Sequence, residues 1–198
     1  MFLPDKPASV RSPSLLDAAR SVLLVIDVQE GFAKAIPDLE AVGSRTAILA
    51  RAAARLGVPV LATLQYPKAL GALLPAVAEA LPAESPVFEK VAFSACDVPE
   101  WIGAVRKLAR DGRDQLVLCG VETHVCVLQT ALDLTGNPDT AVYVVEDAVA
   151  SRKSSNKQAA LRRLEAHGVQ VVTTEMAAFE WLRQAGTEDF KDVQRLIK

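Results

Sequence analysis

Short apolar runs recur along the chain, separated by longer segments in which polar side chains predominate. Residues 22–26 contain no polar side chain, and an uninterrupted apolar run of this length is typical of a strand buried on both faces of a parallel sheet. Further runs of strand length follow at intervals long enough to hold a helix. The strands predicted in this way cover residues 22–26, 58–63, 87–90, 115–119, 140–146 and 169–173.

Three of the segments between these runs are predicted helices that end in glycine. Residues 38–56 repeat apolar side chains every third or fourth position, which places them on one face of a helix. Gly57 then follows, and a glycine here adopts the left-handed conformation that ends many helices. The same order of helix, glycine and strand occurs at Gly112 and Gly168. The pattern therefore predicts βαβ units.

Repeated βαβ units favour a parallel sheet with helices on both faces. The predicted fold is a three-layer α-β-α sandwich with a six-stranded, mostly parallel, Rossmann-like sheet. Residues 1–198 are expected to form a single domain, with an irregular N-terminal arm over 1–18 and a C-terminal tail helix over 187–198. No G-x-G-x-x-G motif follows the first strand, which argues against a dinucleotide-binding enzyme.

Composition narrows the classes of partner. The 198 residues carry a net charge of −2 without a basic stripe, so nucleic acid is not an expected partner. No apolar run approaches the roughly 20 residues of a membrane span. Residues 1–14 lack the apolar segment of a secretory signal, and three cysteines without paired spacing suit a reducing compartment. A cytoplasmic location is therefore expected.

Candidate catalytic side chains stand at the carboxyl ends of predicted strands or just beyond. Asp27 ends the first strand, Lys90 ends the third, and Cys126 lies in the first turn of the helix after the fourth. Open α/β folds bind ligands at this edge of the sheet. Each residue also has a simpler interpretation: Asp27 as a turn cap, Lys90 as a solvated surface lysine, and Cys126 as a small buried residue.

The three side chains together permit nucleophilic chemistry. The positive end of a helix dipole lowers the pKa of a thiol, so we expect Cys126 to ionise readily. A nearby carboxylate can take the thiol proton, a lysine can stabilise the thiolate, and backbone N–H groups can bind an oxyanion. His124 is two positions from Cys126 on the helix and points away from it, while His167 is better placed to cap a helix end. Neither histidine is the expected base.

Residues 24–29, 88–90 and 120–127 resemble, in this order, the three signatures of the isochorismatase-like cysteine hydrolase family. The resemblance extends over about residues 22–182. A narrower similarity to the isochorismatase domain-containing proteins lies in residues 65–67, 120–122 and 190–198.

The resemblance implies a role for each candidate residue. Asp27 would be the general base, Lys90 would assist it, and Cys126 would form a thioester. A cis peptide would join Val121 to Glu122 and direct the backbone N–H groups of Glu122 and Cys126 at the oxyanion. The side chain of Glu122 would either repel anionic substrates or point outward. Substrate-pocket residues implied by the resemblance are Gln29, Phe32, Tyr66, Phe93 and Thr123.

The resemblance also implies what this chain lacks. Nicotinamidases of the family hold a metal with an Asp and histidines after the second strand, whereas residues 65–67 here read Gln-Tyr-Pro. No metal and no cofactor are therefore expected, and the presence of Cys126 favours cleavage of a C–N bond in a small amide. Because the family commonly self-associates, a homo-oligomer is also expected.

Two hypotheses from other classes remain open at this point. One is a protein that keeps the fold as a scaffold or interaction subunit with a vestigial site. The other is a thiol redox sensor that uses Cys126, since an accessible cysteine of low pKa is readily oxidised. No resolving cysteine can be assigned from the sequence.

Overall fold

The computed structural model describes residues 11–198, and its centre is one six-stranded sheet in which every strand pair is parallel. This confirms the predicted fold class. The sheet order is β3-β2-β1-β4-β5-β6. The strands are β1 (Ser21–Ile26), β2 (Val60–Gln65), β3 (Val87–Lys90), β4 (Gln115–Val121), β5 (Ala141–Ala150) and β6 (Gln170–Val172).

Helices connect the strands and cover both faces of the sheet. They are α1 (Leu39–Leu56), α2 (Pro67–Leu70), α3 (Pro75–Ala78), α4 (Pro99–Arg110), α5 (Leu128–Leu134), α6 (Ser154–Ala166), α7 (Thr174–Leu182) and α8 (Glu188–Ile197). Short 3₁₀ turns occur at Glu30–Phe32 and Ala95–Asp97, and a π-helical turn at Thr123–Val127 precedes α5. None of the helices in residues 11–198 is long and apolar enough to cross a membrane.

Alternate side chains of each strand pack into two separate cores. Leu23 and Val25 of β1 point into the core formed with α1, α3, α7 and α8. Leu24 and Ile26 point into the core formed with α4, α5 and α6. Successive strand side chains face opposite ways, so an all-apolar strand such as β1 requires a helix layer on each face. This is the three-layer arrangement predicted from the apolar runs.

The strand order reverses direction between β1 and β4, which are neighbours in the sheet although two other strands separate them in the chain. Crossovers from the two strands leave toward opposite sides at this point, and a crevice opens at their carboxyl ends. Asp27 follows β1, and the turn that carries Cys126 follows β4. The fold therefore brings two of the three predicted catalytic residues to this crevice.

The prediction for β5 is wrong at its carboxyl end, because the strand continues past Glu146 to Ala150. Leu118 pairs with Val144 and Gly120 pairs with Val149, so β5 contains extra residues that bulge out of the ladder. The bulge places Asp147 where its carboxylate accepts hydrogen bonds from the N–H and the hydroxyl of Thr174. Glu146 and Asp147 form a polar pair that predicts the end of a strand, but in the structure they lie in a bulge within β5.

The structure describes part of each predicted terminal segment. The tail forms α8, whose Val193 is fully buried against the core. Residues 11–18 of the predicted arm have no helix or strand, and Leu16 among them is fully buried. The amide of Gln115 donates hydrogen bonds to the carbonyls of Pro13 and Leu15, which fixes this segment to the start of β4. The rest of the predicted arm, residues 1–10, lies outside the described residues.

Candidate active site

Asp27 is placed by an unusually close approach of β1 and β4. Its φ is 54°, a left-handed conformation that residues other than glycine rarely adopt. Gly120 pairs with Ile26, and a Cβ at Gly120 would lie 1.9 Å from the Ile26 carbonyl oxygen. Only glycine fits there, and it also has a φ of 122°. The sharp turn at Asp27 and the glycine at position 120 together let the strand ends converge.

Lys90 and Asp27 form a buried ion pair. Lys90 Nζ lies 2.7 Å from Asp27 Oδ2, and neither side chain is exposed to solvent. The hydroxyl of Thr63, within β2, donates a 2.7 Å hydrogen bond to the other oxygen, Asp27 Oδ1. The alternative interpretation of Lys90 as a surface lysine is therefore wrong. A carboxylate has about four lone-pair sites, so Asp27 can still accept a further proton.

The ammonium of Lys90 has further acceptors on its other sides. Gln65 Oε1 lies 2.7 Å from Nζ, and the carbonyl oxygens of Ala92 and Phe93 lie at 3.3 and 3.2 Å. The amide of Gln65 also donates a 2.9 Å hydrogen bond to the carbonyl of Val91. Buried charges are tolerated when they are paired and their remaining protons are hydrogen-bonded, as here. The position of Lys90 is therefore fixed from several directions.

Cys126 lies in the π-helical turn between β4 and α5, and its side chain is 4% exposed. Asp27 and Lys90 both interact with its thiol. Burial raises the pKa of the Cys126 thiol to about 12, and the Asp27 carboxylate acts in the same direction while Lys90 opposes it. The expectation of a lowered pKa is therefore wrong. The resting site contains a thiol, with a carboxylate and an ammonium beside it.

The turn between β4 and α5 carries the two backbone N–H groups, of Glu122 and Cys126, that the resemblance assigns to the oxyanion. The peptide between Val121 and Glu122 is cis, as the resemblance implied. Within residues 11–198, the N–H of Glu122 donates to no protein acceptor, and the N–H of Cys126 donates to none outside its own turn. A site that stabilises an oxyanion needs donors of this kind.

Glu122 does not face solvent, and its charge is paired. Its carboxylate accepts hydrogen bonds from the backbone N–H, Nε and Nη2 of Arg152, the shortest of which is 2.7 Å. Burial favours the neutral acid, but these hydrogen bonds and the charge of Arg152 outweigh it and lower the pKa of Glu122. The suggestion that Glu122 points outward is wrong, and its negative charge is balanced by Arg152.

The side-chain amide of Gln29 holds neighbouring segments of the site together. Its amide nitrogen donates to the carbonyls of Gln65 and Gly71 at 3.1 and 2.8 Å, and its Oε1 accepts from the N–H of Gln65 at 2.7 Å. These bonds tie the turn after β1 to the end of β2. The amide is thus used within the protein, and its expected contact with substrate stays a prediction.

The other residues predicted to line the pocket differ in exposure. Phe32 is half-buried against the core, whereas Tyr66 and Phe93 are 49% and 54% exposed. Thr123 is fully buried, and its hydroxyl has no hydrogen-bond partner in residues 11–198. Tyr66 and Phe93 flank Gln65 and Lys90 along the chain, so they lie near the ion pair. Their contact with substrate also stays a prediction.

The remaining cysteines and both histidines lie outside this cluster. Cys119 is buried within β4, as predicted. The thiol of Cys96 lies 3.9 Å from the carbonyl of Thr130. His124 Nδ1 lies 3.0 Å from Ser151 Oγ, and His167 Nδ1 lies 2.8 Å from the carbonyl of Arg163, consistent with the predicted cap.

No group of three or more His, Cys, Asp and Glu side chains suitable for a metal occurs in the described part of the chain. A cavity of about 490 Å³ opens between the start of β2 and the end of α4, at the opposite edge of the sheet from Cys126. Neither cysteine nor histidine lines that cavity. This cavity is therefore separate from the predicted catalytic residues.

Several residues of the site were missed in the sequence. Gln65 was considered as part of the narrower resemblance and as a replacement for metal ligands, but not as a partner of Lys90, and Thr63 and Arg152 were not considered. Each contacts a predicted site residue that is 25 to 36 positions away in the chain. Their position at or just after a strand end was the available signal, since that edge collects side chains from all strands.

The sheet order and the acid, lysine and cysteine at its switch point define a three-layer α/β protein with a hydrolase fold. Comparison with known proteins identifies the family, because the model of the isochorismatase domain matches residues 21–176. The chain belongs to the isochorismatase family.

Individual relatives agree with this assignment. The secreted isochorismatase effector Isc1 of Phytophthora sojae is 40% identical over 183 residues, which cover 90% of this chain and 84% of the relative. Isochorismatase domain-containing protein 2A of Mus musculus is 36% identical over 182 residues, which cover 90% of this chain and 82% of the relative. The structure of MAR1 ribonuclease from Caenorhabditis elegans matches with a TM-score of 0.86 and 34% identity, covering 93% of this chain and 92% of that one.

Proposed function

We propose that this protein is a metal-independent cysteine hydrolase that cleaves the C–N bond of a small amide. Cys126 is the nucleophile, Asp27 is the general base and Lys90 assists both. The observation that carries the proposal is the buried Asp27–Lys90 pair beside the Cys126 thiol. A fully buried ion pair is costly to assemble and adds little net stability, so its presence at a ligand-binding edge favours a catalytic role.

The acylation step follows from the protonation states of the resting site. Because the pKa of the Cys126 thiol is about 12, the nucleophile is stored as a thiol near neutral pH. Asp27 takes the thiol proton as sulfur attacks the carbonyl carbon, and the oxygen becomes an oxyanion. The N–H groups of Glu122 and Cys126 donate to that oxyanion. Collapse breaks the C–N bond, Asp27 returns the proton to the leaving nitrogen, and a thioester remains on Cys126.

The thioester is then hydrolysed by the same groups. Asp27 takes a proton from water, the hydroxide attacks the thioester carbonyl, and the same N–H groups stabilise the second oxyanion. The sulfur leaves as Asp27 returns the proton to it, which releases a carboxylic acid and restores the thiol. Between the two transfers the Lys90 ammonium, 2.7 Å from Asp27 Oδ2, balances the charge of the carboxylate.

The test is turnover of a panel of small primary amides and activated esters, followed by ammonia or acid release. The wild-type protein is expected to hydrolyse at least one compound. Cys126→Ala should abolish that activity, and Asp27→Asn should lower it by about 10²–10⁴-fold, the usual contribution of a general base. Cys96→Ala is the matched control, because it removes a partly buried cysteine outside the cluster and should leave activity unchanged.

The outcome that contradicts the proposal is hydrolysis that survives in Cys126→Ala. Absence of turnover over the whole panel, together with no acyl adduct on Cys126, would favour the scaffold hypothesis. Faster oxidation of Cys126 than of Cys96 by dilute peroxide, without any hydrolysis, would favour the redox-sensor hypothesis.

RNA cleavage is a second candidate function, because the C. elegans protein of 34% identity is named as a ribonuclease. The net charge of −2 is unfavourable for binding a polyanion. The acidic and basic side chains of the site, Asp27 and Lys90, are paired with each other and buried, so they are not exposed to an RNA strand. A labelled single-stranded RNA incubated with wild type and Cys126→Ala tests this candidate. Cleavage lost in the variant would replace the amide proposal, and uncleaved RNA would exclude this one.

Self-association and cytoplasmic location also remain proposals. Light scattering of the purified protein after size exclusion tests the first: a mass above 21.2 kDa indicates an oligomer. One relative of 40% identity is named as a secreted protein, so localisation is best tested directly with a tagged chain in its own cell.

A further inference from the structure

The Glu122 carboxylate is bound by one residue just beyond the neighbouring strand. Arg152, two positions after the end of β5, supplies Nε, Nη2 and its own backbone N–H to the two carboxylate oxygens, at distances from 2.7 to 3.2 Å. Glu122 is 4% exposed at its side chain and Arg152 is 56% exposed. An arginine fork on a carboxylate fixes direction as well as distance. The contact joins the turn after β4 to the end of β5.

Other contacts hold the same turn. The carbonyl of Glu122 accepts hydrogen bonds from the N–H groups of Val125 and Val127 at 3.0 and 3.3 Å. His124 Nδ1 lies 3.0 Å from the hydroxyl of Ser151, the residue before Arg152. The side chain and the carbonyl of Glu122 are thus each anchored. Because the bonds at a Cα atom are tetrahedral, anchoring these two groups fixes the position of the Glu122 nitrogen. The preceding residue, Val121, pairs with Ala150 in the sheet, which restrains rotation of the peptide that carries the N–H.

We propose that Arg152 is a positioning residue that, through the Glu122 carboxylate, aims the Glu122 N–H into the oxyanion hole. This inference rests on the proposed function, because it assigns a role to one donor of that site. An oxyanion donor acts only within about 2.7–3.1 Å of the developing charge, so a small rotation of this peptide removes its contribution. Arg152 has no part in activating the thiol, which Asp27 and Lys90 control.

A purely structural role makes a different prediction. If Arg152 only neutralised a buried carboxylate, its loss would lower stability and affect all reactions of Cys126 equally. If it positions the oxyanion donor, only reactions that pass through an oxyanion should slow. Two reagents that both react with the sulfur of Cys126 distinguish the structural role of Arg152 from the positioning role.

The first reagent is p-nitrophenyl acetate. Sulfur bonds to its carbonyl carbon, the oxygen becomes an oxyanion, and collapse expels p-nitrophenolate and leaves an acetyl thioester. The second is iodoacetamide, in which sulfur displaces iodide from a methylene carbon and no oxyanion forms. We would measure the nitrophenolate burst and the alkylation rate by stopped flow and intact mass, for wild type, Arg152→Lys, Arg152→Met and Glu122→Gln.

Arg152→Met should lower the acetylation rate by about 10- to 100-fold, a part of the 10²–10³-fold that a whole oxyanion donor contributes. Alkylation should change by less than about twofold. Glu122→Gln keeps an acceptor for the arginine and should retain more acetylation than Arg152→Met. The matched control is Arg20→Lys, because Arg20 forms the same fork on Asp114 at the opposite edge of the sheet. It should leave the ratio of the two rates unchanged.

Equal loss of both rates in Arg152→Met, or no loss of either, would overturn the inference. Its failure can be distinguished from failure of the proposed function in the wild-type protein itself. If wild type shows a burst on Cys126 and Arg152→Met shows the same burst, only the role of Arg152 is wrong. If wild type shows no burst at Cys126, the proposed function and the inference that rests on it are both wrong.

Discussion

Lys90 Nζ and Asp27 Oδ2 are 2.7 Å apart, and both side chains are completely buried. The two residues come from the ends of β3 and β1, which are not neighbours in the sheet, because β2 lies between them. The lysine reaches across β2, and the β2 residues Thr63 and Gln65 each bind one member of the pair. The pair is therefore built from three adjacent strand ends.

Breaking this pair from one side should destabilise the protein strongly. Lys90→Met leaves the Asp27 carboxylate buried without its partner, and such a change typically costs about 3–5 kcal/mol. The double variant Asp27→Asn with Lys90→Met removes both charges and should lie closer to wild type. Urea unfolding measures each free energy. Arg195→Ala, which breaks an exposed pair with Asp192, is the control and should cost less than about 1 kcal/mol. Additive effects of the two buried substitutions would contradict the interpretation of a coupled pair.

Asp27→Asn should separate thiol reactivity from hydrolysis. The carboxylate raises the pKa of the Cys126 thiol and Lys90 lowers it, so removal of the carboxylate lowers that pKa. Alkylation of Cys126 by iodoacetamide near neutral pH should become about tenfold faster or more, since one charge shifts a neighbouring pKa by about one unit or more. Hydrolysis of an amide should nevertheless be lost, because the variant has no group that protonates the leaving nitrogen or takes a proton from water.

The alkylation rate as a function of pH checks this prediction. Its midpoint should move to lower pH in Asp27→Asn and to higher pH in Lys90→Met. Asp114→Asn, which removes a carboxylate remote from Cys126, should leave the midpoint where it is. A higher midpoint in Asp27→Asn would mean that the carboxylate acts on the thiol in some other way.

Gly120→Ala should disrupt the junction of β1 and β4. The added Cβ would lie 1.9 Å from the Ile26 carbonyl oxygen, so the strand ends would have to separate just before Asp27. Gly112→Ala is a close control, because Gly112 also has a positive φ of 89° but has no atom within 4 Å of the added Cβ. The control should cost about 1 kcal/mol, and Gly120→Ala several times more. Similar free energies of unfolding for the two variants would refute the close approach.

Stability should decline in alkaline solution because of buried thiols. Burial raises the pKa of Cys119 from 9.0 to about 12, so the unfolded chain loses this proton at a lower pH than the folded one. The contribution is fully present below pH 9 and is lost as the pH rises toward 12. Near pH 10 one such thiol should lower the free energy of unfolding by about 1.4 kcal/mol per pH unit. Cys119→Ala should reduce the slope by about that amount in urea titrations, and an unchanged slope would contradict it.

The strand cores were predictable from the sequence because they depend on local pattern, whereas the roles proposed for the three catalytic residues came from their place in the family motifs. An apolar run such as residues 22–26 predicts a buried strand, and parallel strands collect their carboxyl ends at one edge. The bulge in β5 was not predictable, because Glu146 and Asp147 have the polarity of a turn and only the register with β4 shows that the strand continues.

The burial of the site residues, the pKa of Cys126 and the contact between Glu122 and Arg152 could also not be predicted from the sequence. Lys90 follows an acidic residue and has the pattern of a surface lysine, yet contacts with Asp27 and Gln65 bury it. Position at the start of a helix predicts an acidic thiol at Cys126, whereas desolvation dominates in the folded protein and raises the pKa. The contact between Glu122 and Arg152 depends on two strand ends that are 30 positions apart in the chain. Each outcome is set by tertiary burial.

The central claim is that Cys126 forms an acyl-enzyme with Asp27 as its base. Rapid-quench intact mass and peptide mapping after brief exposure to p-nitrophenyl acetate test this claim most directly. We predict one acetyl group on Cys126 in wild type, its absence in Cys126→Ala and a much slower loss of the acetyl group by hydrolysis in Asp27→Asn. An acetyl group on any other residue, or equally fast loss of the acetyl group from wild type and Asp27→Asn, would contradict the account.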